Sequence, residues 1–465
     1  MKHSVAATIL ILTVLLITGC GSDSGKNMEG IWEGNLQFPG IEMRIVFRIS
    51  STPEGTFTAV MLRPELEDGE FPVSGVGVVG DSLHLEVAAG DASFYGRIRS
   101  DGSAIDGQWI HREFTQPLTL KRVSEVYKPR RPQEPEPPYP YEEEDVAYAN
   151  MKAWAKLAGT LAYPRKGGLF PAVLLVSGGG AQNRDGLILG HRPFLVLADY
   201  LTRQGIAVLR VDDRGVGAST GDRSRATSED YAQDALAGVE FLKKRPEIDP
   251  QRIGLIGHSE GGTVASLAAA QSGDIAFIVM LASPGLPGEE YNYQFEESMN
   301  RALGQSDEAL DSILAVQKRV FAVLKTEEDT AVARVKLRRI LEGLEPPMPE
   351  EMIEGNLERY LSPWFRHSIT YDPAPTLNKV KCPVLALFGE KDVHVPPEGN
   401  LERIEEALKE GGNPDYRVEV LPGLNHLFQT AETGAPSEYV KIEETIAPKA
   451  LRSIGNWVVE HTEKQ

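Results

Sequence analysis

Cysteine is nearly missing from this chain, with only Cys20 and Cys382 among 465 residues. Cys20 falls in an apparent export signal, which leaves Cys382 without a partner, so no internal disulfide is expected to staple the fold. Cys382 precedes an apolar strand and reads as a small buried filler. Positive charge is also in deficit: 48 Lys and Arg stand against 67 Asp and Glu, a formal net charge of −19. That balance argues against nucleic acid or anionic membrane surfaces as partners. No apolar run is long enough to span a bilayer; the one at Val5–Ile17 is short and broken by Thr8 and Thr13. No Gly-x-Gly-x-x-Gly opens a helix, which weakens a dinucleotide reading, and no spaced His/Glu metal motif occurs. Neither a metal nor an organic cofactor is expected.

What is there is enough to fold. With 41% hydrophobic and 25% charged residues, the chain can bury cores, and its length suggests two folded units. Residues 1–20 read as a secretory signal: Lys2 and His3, the apolar run, then Thr18, Gly19 and Cys20. The ending Ile17-Thr18-Gly19-Cys20 resembles the lipobox of bacterial lipoproteins, which implies lipidation of Cys20 and anchoring at the cell envelope. Residues 21–27 suit a polar tether. Residues 28–123 alternate short β-like runs with turns and show no helical periodicity, suggesting a small all-β sandwich or barrel. Its aromatics (Trp32, Phe47, Phe94, Tyr95 and Trp109) read as core. Residues 124–145 form a Pro-rich connector ending in Glu142-Glu143-Glu144-Asp145.

From 146 to 465 the texture becomes α/β. Strand candidates are Ala172–Val176, Ile206–Val211, Ile253–Ile256, Ala276–Ala282, Val384–Phe388 and Tyr416–Val420, with helices such as Phe194–Arg203 and Ser228–Lys244 between them. The alternation predicts a doubly wound, mainly parallel sheet whose chemistry lies beyond the carboxyl ends of its strands. Residues 286–370 interrupt it with helical spacing alone. This insertion reads as a cap over the site, or as extra core.

The pattern Gly-x-Ser-x-Gly occurs twice, centred on Ser219 and Ser259. A nucleophile elbow needs a buried strand stopping at the serine and small residues after it. Ile253, Leu255 and Ile256 precede Ser259, and Gly261, Gly262 and Ala265 follow it. The other match lies between Asp212-Asp213-Arg214 and Asp222-Arg223-Ser224, which is loop chemistry.

A serine hydroxyl also needs a histidine base and an acid to orient it. Asp392, just past Val384–Phe388, fills the acid slot ahead of its neighbour Glu390. Of nine histidines, His426 fills the base slot, in the loop after Tyr416–Val420. His394 is the runner-up but lies only two residues from Asp392, and His258 is expected to face away. Oxyanion donors are expected at the Glu260 N–H and, in the loop Ser177–Gln182, at the Gly179 N–H, with Gly180 close behind.

The stretches LAGTLAYP (157–164), GGGAQNRDG (178–186), ADYLTRQGIAVLRVDDRGVGAST (198–220), IGLIGHSEGG (253–262), CPVLALFGEKDVHVP (382–396) and LPGLNHLFQTAETG (421–434) together resemble bacterial α/β-hydrolases of the serine-aminopeptidase-like, esterase-type group. The resemblance covers most of the hydrolase half. It implies a Ser259, Asp392, His426 triad, a purely structural role for the DDRGVGAST loop, and an N-terminal β domain in exported members. Where relatives carry His or Ser followed by Gly-Ser-Gly-Pro-Gln, this chain has Ser177-Gly178-Gly179-Gly180-Ala181-Gln182, which puts the rigidity of that loop in question. The implied activity is a carboxylesterase acting on a small-molecule ester. A peptidase, amidase or thioesterase using the same groups stays open, as does a binding lipoprotein with a vestigial hydrolase domain.

Overall fold

The computed structural model describes residues 28–38, 41–66, 69–88, 91–112 and 114–463. The signal, the tether and Cys20 lie outside these residues. The chain divides into two compact units, one holding most of residues 28–126 and the other Tyr127 onward.

In the first unit nine strands alternate inward apolar and outward polar side chains, as a sheet with one wet face requires. They are β1 (Gly30–Phe38), β2 (Ile41–Ser51), β3 (Phe57–Leu62), β4 (Glu70–Pro72), β5 (Gly75–Val79), β6 (Ser82–Val87), β7 (Ala92–Ile98), β8 (Ala104–His111) and β9 (Phe114–Val123). In β6, Leu83, Leu85 and Val87 are buried while Glu86 is exposed. The strands form one continuous sheet, ordered β4-β3-β2-β1-β9-β8-β7-β6-β5. It curls so that β3 meets β5, enclosing a single core around Trp32, Phe47, Phe94 and Trp109. Tyr95 departs from the expectation that all five aromatics are core. It is the outward-facing neighbour of Phe94, 48% exposed, and stacks on His84.

The second unit is built on eight strands: β10 (Tyr141–Asn150), β11 (Ala155–Pro164), β12 (Phe170–Val176), β13 (Ala207–Val211), β14 (Ile248–His258), β15 (Ile278–Leu281), β16 (Val384–Gly389) and β17 (Tyr416–Leu421). Their order is β10-β11-β13-β12-β14-β15-β16-β17. β10 and β11 pair antiparallel at one edge, and from β13 to β17 all pairings are parallel. The parallel strands read as unbroken apolar runs because helices cover both faces. One face packs Val239, Ala265 and Ile404, and the other packs Leu197, Ile454 and Trp457. This is an α/β-hydrolase fold.

Two features differ from the reading of residues 124–145 as a connector. Glu142 to Asp145 lie inside β10, at the sheet edge, where their side chains stay exposed. The preceding Pro-rich stretch is strapped to the hydrolase body. The Gln133 carboxamide donates to the Ile446 carbonyl (2.7 Å) and accepts from Thr445 N–H (2.6 Å), and Glu134 pairs with Arg192 (2.8 Å).

Between β15 and β16 the insertion is all helix: Gly288–Ala302, Asp307–Thr326, Thr330–Glu342, Glu350–Leu361 and Pro363–Thr370. The Ser306 hydroxyl caps the second of these by accepting from Ala309 N–H. The five helices share their own core around Phe321, Leu337, Leu357 and Phe365. Among the described residues no helix is long and apolar enough to cross a membrane.

Candidate active site

The elbow begins with a close crossing of strand and helix. A Cβ on Gly257 would sit 2.0 Å from the Gly261 carbonyl oxygen, and one on Gly261 would sit 2.2 Å from that of Val176. Only glycine lets β14 end this near to the helix Glu260–Gln271. At the apex Ser259 takes φ +55° and ψ −122°, a left-handed conformation that costs a non-glycine residue about 1–3 kcal/mol and marks functional turns. Its backbone N–H donates to Leu281 (2.7 Å), which fixes the turn. Its side chain lines a cavity of about 400 Å³. Among the described residues, no hydrogen bond engages its hydroxyl.

The loops after β16 and β17 carry Asp392 and His426. His426 Nδ1 bonds Asp392 Oδ2 at 2.8 Å, and both residues are nearly sealed from solvent, at 6% and 4% exposure. Asp392 Oδ1 accepts from the N–H groups of His394 (2.8 Å) and Val395 (2.9 Å). Asn425 holds the histidine loop, accepting from the N–H groups of Leu427 (3.0 Å) and Gln429 (2.9 Å). Burial is the largest influence on both partners: it pushes the Asp392 carboxyl up and the His426 imidazole down. Three N–H groups directed at the carboxylate oppose its neutralisation. The resulting state is a neutral imidazole, Nδ1–H toward the acid, with Nε2 free to take a proton.

His258 does not face away. Its ring packs 4.7 Å from that of His426, and its Nε2 bonds the His426 carbonyl oxygen at 2.9 Å. The His394 ring also stacks on that of His426, at 4.6 Å. Burial pushes His258 down to about 4 and His394 down to about 3, with the His426 charge acting in the same direction. Both neighbours are therefore neutral, and each supplies shape rather than charge. Asp392, His394 and His426 are close enough to share a cation. Every Asp392 contact above is instead satisfied by an N–H donor.

The glycine loop after β12 lines the same cavity through Gly179 and Gly180, beside Glu260. Its rigidity comes from a residue that sequence reasoning passed over. The Asp213 carboxylate accepts from the Ser177 hydroxyl and from Gln182 N–H (2.9 Å), pinning both ends of the loop. Burial raises that carboxyl to about 6, against these two donors. A second missed residue is Trp364, on the cap helix Pro363–Thr370. Its indole N–H reaches both Glu260 oxygens, at 2.9 and 3.0 Å, and the Ser228 hydroxyl donates to Oε1 at 2.6 Å. Burial raises the Glu260 carboxyl and these donors counter it. The cap thus grips the residue whose N–H adjoins the serine.

The remaining walls are largely apolar, including Leu286, Tyr291, Phe295 and Phe365. Chemically, the arrangement offers an unbonded serine hydroxyl, a neutral imidazole oriented by a buried carboxylate, and glycine backbone lining the serine's cavity.

The alpha/beta hydrolase family model matches residues 173–441. The chain is 28% identical over 324 residues to the esterase EstD of Thermotoga maritima, covering 69% of this chain and 68% of that protein. It is 30% identical over 169 residues to the thiohydrolase apmlB of Arthrinium phaeospermum, covering 36% and 52%. Among solved structures, the alpha/beta hydrolase GrgF from Penicillium sp. sh18 matches with a TM-score of 0.46 and 18% identity, covering 69% of this chain and 99% of that one.

Proposed function

Because the chain belongs to the alpha/beta hydrolase family, we propose that it is a serine carboxylesterase working through an acyl-enzyme on Ser259. The Ser259 oxygen attacks the ester carbonyl carbon, and its proton passes to His426 Nε2. Asp392 holds the imidazole in the required tautomer and stabilises the cation that forms. The N–H groups of Glu260 and Gly179 receive the negative oxygen, each worth about 3–4 kcal/mol of barrier. His426 then returns the proton to the departing alkoxide, and water frees the acid by the same steps. Residues 286–370 act as the cap.

The observation that carries this reading is the 2.8 Å bond between His426 Nδ1 and Asp392 Oδ2, in a site where Ser259 keeps an unspent hydroxyl on a left-handed turn. Apo hydrolases often hold the serine–histidine contact loosely until substrate binds. The likeness to an esterase favours esters, and the likeness to a thiohydrolase favours thioesters as a second substrate class. Capture of a free amine, as an aminopeptidase needs, is disfavoured because the Glu260 carboxylate is already taken by Ser228 and Trp364.

A panel of p-nitrophenyl esters of increasing chain length, acyl thioesters and aminoacyl anilides tests this. Esters should be turned over fastest and anilides slowest. Folded protein that hydrolyses neither esters nor thioesters would overturn the proposal. Export and lipid anchoring at Cys20 are proposed separately, on the strength of Ile17-Thr18-Gly19-Cys20. Cys20→Ser should release the protein from the membrane fraction.

A further inference from the structure

The cavity at Ser259 is not uniformly apolar. Arg359, on the cap helix Glu350–Leu361, contributes to its lining. Among the described residues no carboxylate pairs with Arg359 and no hydrogen bond engages its guanidinium. The group lies over the Phe365 ring, 5.1 Å from the centroid. On the neighbouring cap helices Lys325, Arg334, Lys336 and Arg338 are tied to glutamates, whereas Arg359 lines the cavity with its donors unspent, and its fork suits a carboxylate.

A second polar group shares the cavity with Arg359. Tyr291 also lines it, and among the described residues no hydrogen bond engages its hydroxyl. Burial raises that hydroxyl above its usual range, the carboxylates of Asp392 and Glu260 raise it further, and Arg359 opposes them. Tyr291 thus feels both the acid behind the base and the cap arginine. Leu286, Phe295 and Phe365 give the same cavity apolar wall, and its volume of about 400 Å³ exceeds what an acetyl group fills.

We propose that the preferred ester carries a free carboxylate, separated from the scissile carbonyl by an apolar or aromatic stretch, and that Arg359 binds this carboxylate. Arg359 is then the specificity-determining residue of the site. The substrate class is the hemi-ester of a dicarboxylic acid. This rests on the serine esterase reading above.

The test compares monomethyl suberate with dimethyl suberate, the latter corrected for its two ester bonds, using the full chain. The wild type should favour the hemi-ester in kcat/KM by about tenfold, as expected for a charge-assisted contact at a partly exposed arginine. R359Q should bring that ratio close to one, mainly through KM, and R359K should restore part of it. Salt near 1 M, where screening acts over about 3 Å, should also shrink the ratio. A wild-type ratio near one, or an R359Q ratio equal to the wild-type ratio, would overturn the proposal while leaving the esterase intact. If neither ester is hydrolysed and a fluorophosphonate leaves Ser259 unlabelled, the esterase reading fails first and this proposal fails with it.

Discussion

The chain carries the same five-residue pattern in two places, and the two serines have opposite fates. At 217–221, Ser219 is buried and its hydroxyl is fully spent, donating to the Asp212 carbonyl (2.7 Å) and accepting from Ala158 N–H (2.8 Å). The strain in that loop is carried by the glycines on either side, Gly217 at φ +54° and Gly221 at φ +110°. At 257–261 the glycines serve close packing, and the serine itself takes the positive φ. Among the described residues its hydroxyl has no hydrogen-bond partner, and its side chain lines a cavity. The same glycine spacing therefore surrounds one serine whose hydroxyl is bonded to Asp212 and Ala158 and one whose side chain opens on a cavity.

Replacing each serine by alanine should separate the two most sharply. Ser259→Ala should cut kcat by roughly five to six orders of magnitude with the thermal midpoint nearly unchanged. Ser219→Ala should do the reverse, keeping turnover and losing about 1–3 kcal/mol of stability, because the Ala158 N–H is left buried without an acceptor. Steady-state kinetics and calorimetry on both variants check this. Next in size, Asp392→Asn should lower kcat by roughly 10⁴, since an amide no longer dictates the Nδ1–H tautomer of His426. An equal loss from Glu390→Gln would misplace the acid.

Smaller effects probe how the elbow is supported. Trp364→Phe keeps an aromatic ring, though a smaller one, and removes the N–H that reaches Glu260, so kcat should fall about three- to tenfold with little change in fold. Ester kinetics beside circular dichroism would read this out. The mildest prediction concerns pH. Burial lowers His426, and the mechanism requires its neutral form. Activity therefore rises as the imidazole loses its proton, and that rise should be complete below the usual histidine range near 6.5. A kcat/KM profile still climbing above pH 7 would contradict the geometry of the buried pair.

The parallel sheet was legible in the sequence, because runs such as Val384–Phe388 are unambiguous as buried strands. Ser259, Asp392 and His426 each follow such an apolar run, and the structure joins the last two by a 2.8 Å bond. The edge of the sheet was not readable. β10 is rich in Glu, with four consecutive exposed side chains, so no apolar alternation marks it. It forms because its backbone completes the antiparallel pairing with β11. Tyr95 and Phe94 are equally aromatic, and only register assigns one to each face of β7. Asp213 and Trp364 were missed for a different reason. Their contacts span 31–36 and 104 residues of sequence, and no local pattern announces such a pairing. Glu260 was named for its backbone N–H alone, yet its side chain is what joins the cap to the elbow.

The most direct measurement is mass spectrometry of the whole protein after reaction with a fluorophosphonate, followed by peptide mapping. One phosphonyl adduct is predicted, on Ser259, absent in Ser259→Ala and greatly slowed in His426→Ala, with Ser219 unmodified throughout. An adduct on Ser219, or labelling of Ser259 at the same rate with and without the imidazole of His426, would contradict the account.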